Sequence, residues 1–219
     1  MKIFVAGHSH LTHYTKIGAA YRGLDVTNYD READLILIAQ DMPTLWTGER
    51  KPDVVTEYLD EYARDKRPIL LMSQVEPGFC RKLNMPNLYH YPETLRIKDS
   101  YHRACNPEYI VIGSAMGDGY PDEIRQYCNA FKCAVRLLTY EEAELTKIAV
   151  NTMLAVQVDY ANRMAAVCEK AGADWELISE VIGLDKRIGP HAYLTPGRWQ
   201  DSVHLLRDAR TVKGIEDGK

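Results

Sequence analysis

Six short apolar runs, KIFVAG, DVTNY, DLILIAQ, PILLMSQ, YIVIG and AVRLLT, punctuate the first two-thirds of the chain and constrain its fold more than any other feature. They read as continuous apolar stretches and not as polar–apolar alternation, which is how parallel strands covered on both faces look. Between them HLTHYTKIGAAYRG, PDVVTEYLDEYARDK and YPDEIRQYCNAFK each carry an apolar stripe at helical spacing. Strand alternating with helix predicts a doubly wound, mostly parallel α/β sheet with right-handed crossovers over residues 1–138.

The character changes after Thr139. From Glu141 to Ala171 there is no Pro or Gly, and Leu145, Ile148, Ala149, Met153, Val156 and Tyr160 recur at helical spacing. Thr139 and Glu142 form a T-x-x-E capping box at the start, and Gly172 stands where a left-handed C-terminal residue belongs. Such a helix would be roughly 45 Å long at about 1.5 Å per residue. That is too long for an appendage to a small sheet unless it packs on something else, so it is a candidate dimer spine. Asp174 then caps a short helix ending at Gly183. A loop rich in Gly and Pro leads to a last helix around His204 to Val212, and the tail GIEDGK is expected to fray. Residues 139–219 are thus expected to form an α-helical dimerisation region.

A chain of 219 residues can bury a sizeable core. Its net charge of −4 gives no electrostatic footprint for nucleic acid or an anionic membrane. No apolar run approaches the roughly 18 residues of a membrane span, and the N-terminus begins directly on strand-like sequence, so a cytoplasmic protein is expected. Cys80, Cys105, Cys128, Cys133 and Cys168, odd in number and widely spaced, point to reduced thiols. Cys128 and Cys133, read as lying on one helix, have no partner ligands at zinc spacing. His8, His10 and His13 place an HxH on a turn, but no carboxylate or Cys accompanies them, and no metal site is expected.

The first strand, turn and helix have the outline of a Rossmann-like dinucleotide fold. Such a fold wants a Gly-rich turn, a helix N-terminus for the pyrophosphate, and an acidic residue about 20 positions on for the ribose. KIFVAG supplies the strand and Gly7 the first glycine, while Asp30 closes the second strand in the place of the ribose-binding carboxylate. The turn itself reads GHSHLT. Ser9 stands at the second glycine, where a Cβ obstructs approach to phosphate, and Thr12 at the third. Two readings stay open: a nucleotide-like unit that binds no nucleotide, or one that keeps NAD with Gly7, Ser9, His10 and the helix dipole at the phosphate and Asp30 at the ribose.

Four segments resemble the UDP-glucose/GDP-mannose 6-dehydrogenase family, the nucleotide-sugar dehydrogenases. SQVEPG (73–78) resembles its S-T-V-P-P-G strand end, and YPETLRIKDSYHRACNPEYIVIG (91–113) its N-P-E-F-L-R-E-G-x-A…P-x-R-I-V-I-G segment. ELTKIAVNTMLAVQVDYANRMAAVCEKAGAD (144–174) is similar to its E-L-x-K-x-x-x-N-x-x-L-A…C-E-x-x-G-A-D helix, and VIGLDKRIG (181–189) to its I-G-x-D-x-R-I-G. Order and spacing agree over most of the chain. The resemblance implies that Lys147 is an acid–base or oxyanion-stabilising lysine, Asn151 its partner, Glu93 an active-site glutamate, and Arg187 a residue that reaches the sugar nucleotide of a neighbouring subunit. Independently, Lys147 and Asn151 lie at i and i+4 on one helix face, where an ammonium and an amide can orient a hydroxyl and stabilise charge as a hydride leaves.

The departures from the family are equally specific. Its thiohemiacetal-forming cysteine, in G-G-S-C-F-P-K-D, falls on His204, its paired lysine on Arg207, and its aspartate survives as Asp208. A second glutamate is replaced by Ile97 and the Thr of S-T-V by Gln74. About one crossover unit is missing between Asp30 and Asp34, and the family's C-terminal UDP-binding domain is expected to be absent. A histidine forms no thioester, so the expected activity is a single NAD-dependent oxidation of a nucleotide-sugar or small polyol by Lys147, Asn151, Glu93 and Asp208, with His204 a candidate base. The alternative is a catalytically inactive relative that serves as a nucleotide-binding or protein-interaction scaffold. Under both, a homodimer through the 141–171 helix is expected.

Overall fold

A computed structural model describes residues 1–218. The chain divides into two compact units: Met1–Pro43 with Arg50–Lys147, and Thr44–Glu49 with Ile148–Lys219. The division falls inside the long helix and not at Thr139, because the first turns of that helix belong with the sheet.

The first unit is a seven-stranded sheet. In chain order its elements are β1 (Lys2–Ala6), α1 (His10–Tyr21), β2 (Asp25–Thr27), β3 (Leu35–Ile38), α2 (Asp53–Glu61), β4 (Ile69–Leu71), α3 (Phe79–Leu83), β5 (Leu88–His90), α4 (Ser100–Cys105), β6 (Tyr109–Ser114), α5 (Asp122–Phe131) and β7 (Ala134–Thr139). The strand order is β2-β1-β3-β4-β5-β6-β7. Pairing is parallel except between β5 and β6, where His90 faces Gly113 in an antiparallel bridge. The expected α/β architecture is therefore present, with one strand more than the six apolar runs. β5 is only Leu-Tyr-His, too short for an apolar run to mark it.

Burial explains the order. Every residue of β3 and β4 is buried, as central strands covered on both faces require. No residue of β7 is fully buried, because it is an edge and not the fully covered strand its apolar run suggests. β1 leads to β2 on one side and has β3 on the other, so the topological switch point lies between β1 and β3. The β2–β3 link is a single 3₁₀ turn over Asp30–Glu32. Arg67 closes it: Nη1 donates to Asp30 O at 2.5 Å and Ala33 O at 3.0 Å, while Asp65 holds Nε at 3.0 Å.

Two glycines are fixed by contact. A Cβ on Gly18 of α1 would lie 2.2 Å from the Ala104 carbonyl oxygen of α4, so the two helices touch backbone to side-chain-less backbone. Arg22 reinforces the contact, Nε donating to Cys105 O at 2.5 Å and Nη2 to Asn106 Oδ1 at 2.6 Å. A Cβ on Gly113 would lie 2.7 Å from the Ala143 side-chain methyl, so the start of the long helix lies close against β6 there.

The second unit contains most of α6 (Tyr140–Ala171), then α7 (Trp175–Gly183) and α8 (Val203–Glu216). α6 begins with the expected capping box, Glu142 Oε2 accepting from Thr139 N at 2.8 Å, and ends on Gly172 with φ +71°. Four side chains of this unit bind the loop before α8. Gln157 Oε1 accepts from Tyr193 N at 2.8 Å, Asn162 exchanges two hydrogen bonds with the Gly197 backbone, and the indoles of Trp175 and Trp199 donate to Leu194 O and Asp159. The core here is small, centred on Ala161, Cys168 and Trp175. α8 runs through Gly214 to Glu216, so the tail expected to fray is helical up to that point; Lys219 lies outside the described residues. Cys133 follows α5 instead of lying on it, beyond a left-handed Lys132. No helix among the described residues is long and apolar enough to cross a membrane.

Gly18→Ala should lower the unfolding free energy by about 1–3 kcal/mol, the usual cost of forcing an extra methyl into a packed contact. Urea denaturation reads it. An unchanged midpoint would show that α1 and α4 are not held at this distance.

Candidate functional site

The candidate residues gather in three places. The first is the turn after β1. Gly7 takes φ +126°, and a Cβ there would lie 2.4 Å from Thr12 Oγ1 and 2.9 Å from Ala39 O, so only glycine fits this bend. Ser9 caps α1 and Thr12 completes a capping box with it. Both hydroxyls also reach β3's end: Thr12 Oγ1 donates to Ala39 O at 2.5 Å and Ser9 Oγ to the same oxygen at 3.3 Å. The two residues that replace glycines are therefore structural partners of β3. His10 is exposed, with Nε2 3.3 Å from Ser100 Oγ. Asp30 sits half-buried at the start of the 3₁₀ turn, Oδ1 accepting from Arg31 N at 2.7 Å.

The second place is the segment after β5. Tyr91 N donates to Leu71 O at 2.7 Å and Glu93 N to Met72 O at 3.4 Å, which carries Glu93 past the strand end in a fixed register. Glu93 lines a small cleft with Thr15, Met72, Arg103 and Tyr127. Its carboxyl is pushed up to about 8, first by burial and further by the charge of Asp41, against the opposing pull of Lys147 and Arg103. It is thus not the surface carboxylate a loop position implies. Lys147 is half-buried on α6. Its turn of helix is pinned by Glu144, three residues before it, whose buried carboxylate accepts from Gly78 N at 2.5 Å and Cys80 N at 2.9 Å. Ile97, in the place of the second glutamate, is 84% exposed and has no chemistry to offer.

The third place lies in the second unit. Asn151 Nδ2 donates to Asp208 Oδ2 at 2.6 Å, Arg207 Nε to Asp208 Oδ1 at 3.2 Å, and Arg207 Nη1 to Thr44 Oγ1 at 3.2 Å. Asn151, Arg207 and Asp208 are all buried. A buried carboxylate persists only when paired and hydrogen-bonded, and this one is both. With Nδ2 committed to Asp208, Oδ1 is left as the acceptor of the Asn151 amide. His204 is exposed near the start of α8, one turn before Asp208. Arg187 is an exposed turn residue whose Nη2 is held by Asp185 at 2.7 Å.

Asp41, Thr44 and Glu144 were not legible as site residues. Asp41 directly follows an apolar strand and Glu144 interrupts a buried helix face, and those two anomalies are the signals that could have found them.

Glu93 gives the site a pH signature. A carboxyl held near 8 in the folded chain, against 4.5 unperturbed, is protonated where the unfolded chain is already ionised. The folded state then binds more protons, so this group's contribution to stability falls as pH rises from about 4.5 to about 8. Unfolding free energies of the wild type and Glu93→Gln at pH 5 and pH 8 check this. The wild type should lose stability relative to the variant; parallel behaviour would mean that Glu93 ionises freely.

Residues 141–210 match the UDP-glucose/GDP-mannose dehydrogenase family, central domain. The UDP-glucose 6-dehydrogenase of Rickettsia typhi is 31% identical over 184 residues, which cover 74% of this chain and 41% of that protein. For the UDP-glucose 6-dehydrogenase TuaD of Bacillus subtilis the identity is 29% over 181 residues, covering 75% and 39%. This chain thus spans well under half the length of these curated relatives. Among solved structures, the NDP-N-acetyl-D-galactosaminuronic acid dehydrogenase of Methanosarcina mazei superposes with a TM-score of 0.74 at 16% identity, covering 100% of this chain and 61% of that one. A GDP-mannose dehydrogenase of Pseudomonas aeruginosa gives 0.71 at 16%, covering 97% and 65%. At such identity the structures establish the fold alone, and the sequence matches carry the relationship. By those matches the chain belongs to the UDP-glucose/GDP-mannose dehydrogenase family.

Proposed function

We propose that the chain is an NAD-dependent oxidoreductase that takes a hydroxyl of a nucleotide-sugar-type alcohol to the carbonyl and stops there. The observation that carries this reading is the Asn151–Asp208 hydrogen bond, one helical turn from Lys147 on α6. Asp208 fixes the amide so that Oδ1 can accept from a substrate hydroxyl. Lys147, four residues earlier on the same helix, would stabilise charge on the substrate oxygen as its proton leaves. Glu93, neutral near pH 7, offers a hydrogen-bond donor in place of a second negative charge. His204, exposed and close in sequence to Asp208, is the remaining candidate for the proton.

The Gly7 bend is required by its own chain, a Cβ there meeting Thr12 and Ala39, and it sets the turn before α1 at the place where a dinucleotide fold takes its phosphates. Gly7, Ser9 and His10 would hold the phosphates and Asp30 the ribose. When bound, NAD supplies the hydride acceptor. No thiol stands at position 204, so no thiohemiacetal forms and the carbonyl product is released.

The non-catalytic alternative draws on one observation, the carboxylate of Asp41 at the N-terminus of α1. A substrate assay separates the two. With UDP-glucose as probe, the wild type should form one NADH per sugar, and Lys147→Ala should lower the rate about a hundredfold or more. Two NADH per sugar would overturn the single oxidation; no NADH at all in a folded protein would favour the scaffold.

The same reading includes a homodimer. Leu145, Met153, Val156 and Tyr160 lie along one face of α6 and are 41, 59, 62 and 48% exposed, and Ala149 completes the stripe; of the residues at this spacing only Ile148 is buried in its own chain. A straight helix bearing such a stripe can bury it against its own copy. Arg187 would then face the neighbour's substrate. Val156→Asp should turn a dimer into a monomer in sedimentation velocity, and a monomeric wild type at micromolar concentration would retire the interface.

A further inference from the structure

The turn after β1 and the start of α1 ought to present free backbone N–H groups to a phosphate, and in this chain four of them are already taken. His8 N donates to Gln40 Oε1 at 2.9 Å, Ser9 N to Thr12 Oγ1 at 3.0 Å, Leu11 N to Asp41 Oδ2 at 3.2 Å, and Thr12 N to Ser9 Oγ at 3.5 Å. Two of these four acceptors come from the loop that follows β3. The loop is itself registered on the turn, because Asp41 N donates to Ser9 Oγ at 2.9 Å. The result is a carboxylate seated on the positive end of α1, where an anionic ligand would otherwise sit.

We propose that Asp41 is a built-in competitor for the phosphates of the dinucleotide, so that the nucleotide crevice of this chain binds only when the Gln40–Asp41 loop leaves the N-terminus of α1. The inference rests on the dehydrogenase reading only in naming the competitor a dinucleotide. Three features of the loop support it. Asp41 is exposed, so its departure exposes no apolar surface. Met42, next in the chain, is buried and packs in the core beneath β3, which anchors the loop's far side and leaves Asp41 to swing. Gln40 and Asp41 together stand for two acceptors that a diphosphate can supply, so the exchange keeps partners for His8 N and Leu11 N and gives up the Asp41 N–Ser9 Oγ bond. What changes is charge: with Asp41 in place, a diphosphate arriving nearby meets a carboxylate and a half-neutralised helix end.

Asp41→Asn keeps an oxygen for Leu11 N and removes the charge, which makes it the informative variant. Calorimetric titration of NADH and, separately, of inorganic pyrophosphate into the wild type and Asp41→Asn reads the competition, with Asp41→Ser as a second variant should the first fail to fold by circular dichroism. Binding of at least one probe should tighten about tenfold, the scale of a charge at a helix terminus together with one removed repulsion. Equal or weaker binding of both probes by the variant, including no binding to either protein, would overturn the proposal. Pyrophosphate tightened with no NADH bound by either form would keep the competitor and retire the dehydrogenase reading. NADH and pyrophosphate bound alike by both forms would keep that reading and retire this one.

Discussion

The adjacency of β3 and β1 governs everything around the first unit's crevice. The link from β2 to β3 is a single 3₁₀ turn sealed by Arg67, so no further crossover can be inserted between them. β3 pairs directly with β1 from Leu35 to Ile38. That register brings the Ala39 carbonyl within reach of Thr12 and Ser9 and delivers Gln40 and Asp41 to the start of α1. One short connection thus decides both where the crevice lies and what fills it.

The two carboxylates singled out for chemistry sit in different surroundings. Glu93 is desolvated with Asp41 adding negative potential, and the attraction of Lys147 and Arg103 does not restore ionisation at neutral pH. Asp208 is fully buried and receives a guanidinium and an amide directly. Burial disfavours the charged form of an acid, and directly bonded donors offset that cost. Under the proposed alcohol oxidation, a Glu93 kept neutral would add no charge of its own against a developing oxyanion.

Much of the fold was legible because its signals are local. The capping box at Thr139, the left-handed Gly172 and the fully apolar β3 depend on neighbours a few residues away, and each is where the sequence puts it. β5 was not legible, since three residues form it and its existence depends on pairing with β4 and on one bridge to β6. The edge position of β7 escaped for a similar reason: AVRLLT has the composition of a covered strand, and only the strand order leaves it at the margin. Within the candidate site, residue identities could be read but their bonds could not. Asn151 and Asp208 were separately nameable; that they meet is a tertiary fact between helices far apart in sequence.

The altered glycine turn is where sequence and structure differ most in meaning. Read along the chain, Ser9 and Thr12 are two losses from a phosphate-binding pattern. In space they are two gains, since each hydroxyl caps α1 and ties it to Ala39, and Ser9 also receives the Asp41 amide. Returning glycine at position 9 would remove the cap and the loop's anchor together, and a glycine at position 12 would empty the space against Gly7. The four residues Ser9, Thr12, Gln40 and Asp41 therefore behave as one rebuilt unit. Drift at independent positions would leave donors without acceptors at a helix start, where each unmet N–H is costly. The donors here are instead met by the chain itself, so a change at any one of the four side chains leaves a donor of the others to be met again.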